Sequence, residues 1–216
     1  MREGFINVFK PCGYSSHDVV NDIRKIFSTR AVGHMGTLDP DACGVLPIAM
    51  GRATRLIPYV EGTTKVYRAE LIMGIATDTL DNSGVIQCVV DASQVTYSEL
   101  KNTLMSFIGV YEQIPPMYSS KKIGGKRLYD IARSGGVVDR QPNVVAITSI
   151  VLHDIHIEQQ IAVAVFDVTC SKGTYIRSLC ADVGARMGLP SCMGFLLRLA
   201  SGPFILPNSN SLAEIR

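Results

Sequence analysis

Apolar residues along this chain change period in steps, and each change marks an element. Phe5, Ile6, Val8 and Phe9 read as a short first strand, ended by Lys10-Pro11-Cys12-Gly13. Ser15 or Ser16 then caps a helix whose Val19, Val20, Ile23, Ile26 and Phe27 recur at helical spacing. From Gly33 to Pro47 neither period persists. Those fifteen residues hold three glycines, two prolines, Asp39, Asp41 and His34. Glycine permits φ > 0 and proline fixes φ, so the stretch reads as a shaped loop. Loops of this kind, held by a rigid scaffold, are where binding and catalytic groups tend to sit. Leu46 to Tyr59 is an apolar stretch carrying Arg52 and Arg55. Lys65 to Ile75 alternates as a strand, with Val66, Arg68 and Glu70 against Tyr67, Ala69 and Leu71. Asp81-Asn82-Ser83-Gly84 turns the chain back through Val85 to Val90 as a partner strand.

Thr96 and Glu99 fit a capping box ahead of Leu100, Leu104, Phe107 and Ile108, a helix that Gly109 would stop. Ile114 to Gly136 is polar and glycine-bearing, with a short helix at Leu128 to Arg133. Two strands follow, Ile147 to Ile157 and Ile161 to Cys170. Thr174 is placed to cap a helix with Ile176, Leu179, Cys180, Val183 and Met187 on one face, ended by Gly188. A last apolar helix, Cys192 to Leu199, precedes Ser201-Gly202-Pro203, and Ala213 to Arg216 looks like the start of another. No repeat or low-complexity linker interrupts the chain. Hairpins outnumber β-α-β units, which predicts one α+β domain over residues 1–216, built on a mainly antiparallel sheet.

Composition narrows the class. With 216 residues, 47% apolar and 19% charged, the chain forms a core. A net charge of +2 does not announce nucleic acid, so any basic surface must come from clustering. Six cysteines lack a C-x-x-C pair or regular spacing, which points to a reducing cytosol and away from zinc or disulfides. His153 and His156 lie in a strand-like run and make a weak case for metal. No segment has the length and apolarity of a membrane span, and no signal peptide precedes Phe5. The expectation is a soluble cytoplasmic monomer that holds no metal.

Several groups could carry chemistry. Asp39 and Asp41 form a D-x-D pair, but a phosphatase of that pattern needs a hydrophobic strand delivering its first aspartate, and Gly33 to Thr37 is loop-like. Tyr67 is either a strand aromatic or a stacking platform for a base, worth ~1–3 kcal/mol in the second case. Arg177 falls in the first turn of its helix, against the helix dipole, which a partner carboxylate would explain. Lys172-Gly173-Thr174 could contact a phosphate. Between residues 121 and 140, Lys121, Lys122, Lys126, Arg127, Arg133 and Arg140 are opposed only by Asp130 and Asp139. Interleaved with Tyr118 and Tyr129, they suggest a flexible segment that grips a polyanion.

Together these residues resemble the bacterial tRNA pseudouridine synthase B family. The matching segments are Lys10-Pro11-x-Gly13-x-Ser15-Ser16, Gly33-His34-x-Gly36-x-Leu38-Asp39-Pro40 and Lys65-x-Tyr67-Arg68-Ala69. Three more are Thr77-Asp78-Thr79-x-Asp81-x-x-Gly84, the run Gln113 to Ser120 with Lys122, and Cys170 to Arg177. The six occur in the family's order over nearly the whole chain. The resemblance implies the pseudouridine synthase fold, and an enzyme that isomerises the T-loop uridine, position 55 of tRNA, without metal or organic cofactor.

It also implies roles. Asp39 matches the catalytic aspartate and Arg177 the arginine paired with it, a partner that keeps an aspartate ionised at neutral pH. Tyr67 matches the tyrosine that stacks on the target base and is the candidate for removing its C5 proton. Leu196 matches an apolar residue packed on the base, and His34 one that holds the rearranged loop once the base has left its stack. Lys10 lies near the site in a supporting role. Lys172 and Tyr175, with Lys122 and Lys126 of the insertion at about 114–136, are expected to bind the T-arm stem-loop of tRNA. Two departures accompany the match: the family's small C-terminal RNA-binding domain is expected to be absent, and Cys43 and Leu197 stand where Thr and Arg are usual. An RNA-binding or tRNA-folding protein without catalysis is the alternative, against which Asp39, Tyr67 and Arg177 are all present.

Overall fold

The structure, a computed structural model, describes residues 3–60, 64–119, 122–123, 126–133, 136 and 138–216. In chain order β1 (Gly4–Lys10), α1 (Ser16–Ile26), β2 (Val32–His34) and β3 (Cys43–Met50) come first. A 3-10 turn (Gly51–Leu56) and α2 (Ile57–Val60) lead to β4 (Lys65–Met73), β5 (Ile75–Thr77) and β6 (Ile86–Val89). Next are α3 (Tyr97–Met105), β7 (Gly109–Gln113), β8 (Lys122–Ile123), β9 (Lys126–Arg127) and α4 (Leu128–Arg133). The chain finishes with β10 (Asn143–Glu158), β11 (Ile161–Cys170), α5 (Ile176–Arg186), β12 (Ser191–Ser201), β13 (Phe204–Ile205) and α6 (Leu212–Ile215). Strands β1, β3, β12, β4, β11, β10 and β7 are hydrogen-bonded in that order, with β2 beside β3 and β13 beside β12. β3 runs antiparallel to β1 and β2 but parallel to β12, so the sheet is mixed and the fold α+β, as the sequence predicts. Among the described residues no helix is long and apolar enough to cross a membrane.

Two compact units divide the chain. Met1–Arg68, Val168–Lys172 and Phe195–Arg216 make the first, Ala69–Asp167 and Gly173–Gly194 the second. The first has its core where α1 lies on β1, β2 and β3. Val19, Val20 and Ile23 of α1 meet Val8, Val32, Leu46, Ile48 and Met50. The helix starts where it does because Ser15 and Asp18 form a capping box, satisfying each other's backbone N–H. A second such box, Ser211 with Glu214, opens α6, whose Leu212 and Ile215 pack on the same core. In the second unit β7 and β10 pair antiparallel, and α3, with its Thr96–Glu99 box, buries Leu100 and Leu104.

Several expectations are corrected. Cys192 to Leu199 is a strand, part of β12, and not a helix; a short apolar run fits either period, and β-sheet neighbours decide. The shaped loop is shorter at both ends, since Gly33-His34 belong to β2 and Cys43 to Pro47 to β3. Every residue of β3 is buried, so it lacks the alternation that would have marked it as a strand. Thr174 is not the cap of α5. Tyr175 stands there with no side-chain cap bond. α3 ends at Met105 and Gly109 opens β7 instead of stopping the helix. The strand after the Asp81–Gly84 turn pairs with β5.

Ile48 is fully buried in the first unit's core. Ile48→Ala is expected to lower stability by about 2–5 kcal/mol in urea unfolding, the range for truncating such a side chain.

Candidate active site

The loop from Met35 to Ala42 is held almost wholly through its backbone carbonyls, by side chains that approach from four places in the first unit. Lys10, at the end of β1 and 0% exposed, donates its ammonium to Pro40 O at 3.0 Å, Pro11 O at 2.9 Å and Tyr14 O at 2.5 Å. Three donors meet three acceptors. Ser16, in the first turn of α1, donates to Leu38 O at 3.1 Å and accepts the Leu38 N–H at 2.9 Å. Cys12 reaches Asp41 O at 3.3 Å, and the Gly13 N–H donates to Pro40 O at 2.9 Å. Within the loop the Ala42 N–H donates to Asp39 O at 3.1 Å, a tight turn directly after the candidate catalytic residue.

The fourth holder is Arg198 of β12, whose side chain is fully buried. Its Nε donates to Val45 O at 2.6 Å, Nη2 to Gly36 O at 3.0 Å and Nη1 to Thr37 O at 3.5 Å. Gly36 has φ +81°, and a Cβ there would lie 3.1 Å from Lys65 Cε and 3.4 Å from Arg198 Nη1. Glycine is what the turn needs both sterically and conformationally. Burial pulls the Lys10 pKa down, while Cys12, Cys43, Asp39 and Asp41 hold it up.

Tyr67 lies on the inward face of β4 and is 6% exposed, more enclosed than a half-buried strand aromatic. Burial raises its phenol above the ordinary 10.0; the Arg198 guanidinium opposes this, and Cys170 and Asp39 add to it. Asp39, Tyr67 and Arg198 all belong to the first unit. Leu196 is buried two residues before Arg198, on the same face of β12. His34, half-buried, ends β2 opposite Ile48. Lys172 is exposed just after β11.

The second unit holds Arg177, in the first turn of α5 and 6% exposed. Its guanidinium lies 3.4 Å from an Asp81 carboxylate oxygen and donates to Thr79 O at 3.1 Å and Tyr118 O at 2.8 Å. A carboxylate partner was expected for a cation placed against the helix dipole, and Asp81 is one. Tyr175 is fixed by the buried Gln113, which accepts its N–H at 2.7 Å and donates to its carbonyl at 3.0 Å. Lys122 and Lys126 belong to the β8–β9 hairpin, with Lys122 opposite Arg127 and Ile123 opposite Lys126. Lys121 and the Gly124-Gly125 pair lie outside the described residues. Arg140, counted in the basic cluster, donates to Pro115 O at 2.9 Å.

Sequence reasoning missed Arg198 and the second task of Ser16. Reading Cys192 to Leu199 as a helix hid the Arg198 position, whereas strand alternation would have put Leu196 and Arg198 on one face. In the sequence Ser16 is a rival to Ser15 for the cap and part of a family motif; with Ser15 in that place, Ser16 is left to bind Leu38.

The family described as TruB family pseudouridylate synthase (N terminal domain) matches residues 24–176. tRNA pseudouridine synthase B of Heliobacterium mobile is 49% identical over 213 residues, covering 99% of this chain and 69% of that protein. The protein of the same name from Symbiobacterium thermophilum is 45% identical over 213 residues, covering 99% and 71%. Among solved structures, a Cbf5-Nop10-Gar1 complex aligns with a TM-score of 0.73 and 29% identity over 97% of this chain and 52% of that one. An H/ACA RNP bound to a substrate RNA containing 2′-deoxyuridine aligns with a TM-score of 0.71 and 27% identity, over 97% and 51%. This chain thus spans about half the length of those solved chains.

The raised Tyr67 pKa has a consequence for stability. Above the ordinary value of 10.0 the unfolded chain ionises this tyrosine first, so the folded state binds more protons and stability falls as pH rises. Below that pH both states are protonated and the contribution is constant. Urea unfolding from pH 8 to about pH 11 is expected to show this decline, and Tyr67→Phe to make it shallower. An equal decline in both proteins would remove Tyr67 as its source.

Proposed function

We propose that this chain, which belongs to the TruB family of pseudouridylate synthases, isomerises a uridine of tRNA to pseudouridine, namely the T-loop uridine at position 55, with Asp39 as the catalytic group. The observation that carries the proposal is the backbone-held loop. Lys10, Ser16, Cys12 and Arg198 bond to main-chain oxygens around Asp39, so the backbone that carries it is held in place. Preorganisation of this kind is what an aspartate needs to act on a substrate at a fixed distance.

The reaction rearranges bonds without net redox change. The N1–C1′ bond breaks and uracil leaves as its anion; the base turns, and a C5–C1′ bond forms. The C5 proton then leaves and N1 ends protonated. A carboxylate serves this either by attacking C1′ or by promoting a glycal-like intermediate. The base is both leaving group and re-entering group, so no cofactor is required.

In this account Tyr67 stacks on the turned-out base and takes the C5 proton, and Leu196 packs on its other side. By the resemblance Arg177 stands for the arginine paired with the catalytic aspartate, and within its own unit it lies beside Asp81. His34 supports the rearranged T-loop once the target has left its stack, a step costing a few kcal/mol. Lys172, Tyr175, Lys122 and Lys126 supply contacts to the T-arm, those from lysine being the salt-sensitive ones. Lys10, with every ammonium hydrogen directed at a carbonyl, supports the loop and does not meet RNA.

The test is mass spectrometry of an unmodified tRNA transcript after incubation with the protein, with cyanoethylation marking pseudouridine. One adduct, in the T-loop, is expected. An adduct elsewhere in the tRNA would overturn the position, and bound but unmodified tRNA would favour a protein that binds without catalysis.

A further inference from the structure

Arg198 is among the largest side chains in the molecule with no exposed surface. Burying a guanidinium costs several kcal/mol unless its donors are matched, and here they are matched on one object. Nη2, Nη1 and Nε donate to Gly36, Thr37 and Val45, the carbonyls on either side of the Asp39 turn. The same guanidinium acts on Tyr67, opposing the effect of burial on its hydroxyl. Leu38 and Asp39 follow directly on the held segment, whereas Tyr67 comes from β4. Arg198, on a third element, therefore holds the backbone that leads into Asp39 and also acts on Tyr67.

We propose that Arg198 is a positioning residue for the isomerisation, one guanidinium that fixes the backbone entering Asp39 through the carbonyls on either side of its turn. The inference rests on the proposed synthase activity and adds to it. Only arginine has the chemistry for this: a planar fork of five donors serves several acceptors at fixed angles, while a lysine ammonium is a single point on a flexible stem. Access to the loop depends on Gly44, whose φ is +109° and where a Cβ would lie 2.3 Å from Arg198 O and 2.8 Å from its amide nitrogen. The groups acting on the Tyr67 hydroxyl are Arg198, Cys170 and Asp39, and Arg198 is the one that favours the phenolate. The guanidinium thus holds the loop and also favours the ionised form of the phenol.

The experiment compares wild type, Arg198→Lys and Arg198→Met in single-turnover and steady-state tRNA assays, with circular dichroism to measure the folded fraction. Tyr67 titration is followed in each by the 13Cζ resonance of labelled tyrosine, assigned by its loss in Tyr67→Phe. The expected result for both variants is a fall in kcat on the order of 100-fold, the scale of an ångström-size misplacement, with KM for tRNA nearly unchanged. The Tyr67 midpoint should move to higher pH in Arg198→Met. Arg198→Lys keeps the charge and most of the stem, and carries the test should Arg198→Met fail to fold. Wild-type kcat in a folded variant, a loss that only follows the unfolded fraction, or an unmoved Tyr67 titration would overturn the inference. Lack of product from the wild type would instead overturn the activity on which it rests.

Discussion

Around Gly44, two strands come too close for any side chain on the residue between them. There β12 runs beside β3 in parallel for only two residue pairs, Leu197 with Cys43 and Arg198 with Gly44. That short contact delivers Arg198 beneath the loop. Once it is there, the loop needs no regular structure of its own, because its buried carbonyls find their donors in side chains. Ser16 on α1 and Lys10 on β1 complete the same task from elements anchored in the first unit's core. Packing of α1 on β1, β2 and β3 is therefore what holds the functional loop in shape, and the loop is no independent feature grafted onto the fold.

Electrostatics reinforce this. Two buried cations, Lys10 and Arg198, spend their hydrogen bonds on neutral carbonyls and leave their charge to act at longer range. Lys10 feels Asp39 and Asp41, and Arg198 acts on Tyr67. A cation held by dipoles keeps a field that a direct ion pair would largely cancel, and in a weakly solvated site such a field is strong. In the second unit Arg177 shows the other pattern, a buried guanidinium beside the Asp81 carboxylate.

Much of this was legible in the sequence, where local rules suffice. The capping box at Thr96, a serine cap for α1, the alternation of β4 and the glycine-proline loop around Asp39 all follow from spacing alone. The family motifs gathered Asp39, Tyr67 and Leu196, which the first unit contains together. What escaped was set by neighbours distant in sequence. β3 is buried along its whole length, so it shows none of the alternation that marks a half-exposed strand, and the first four residues of β12 are all buried as well. Arg198 follows from the same error, since a residue's face is meaningful only after its element is known. The double bond of Ser16 to Leu38, 22 residues away, has no local signature at all.

The claim at the centre of this account is that the Asp39 carboxylate drives cleavage of the uridine's glycosidic bond and its rebuilding at C5. Rebuilding releases the C5 hydrogen to water, so tritium release from tRNA labelled at uridine C5 reports it directly. Wild-type protein is expected to release one tritium per tRNA. Asp39→Asn, nearly isosteric but uncharged, is expected to release none while binding the same tRNA. Release by Asp39→Asn at the wild-type rate would contradict the account and move the chemistry to another group.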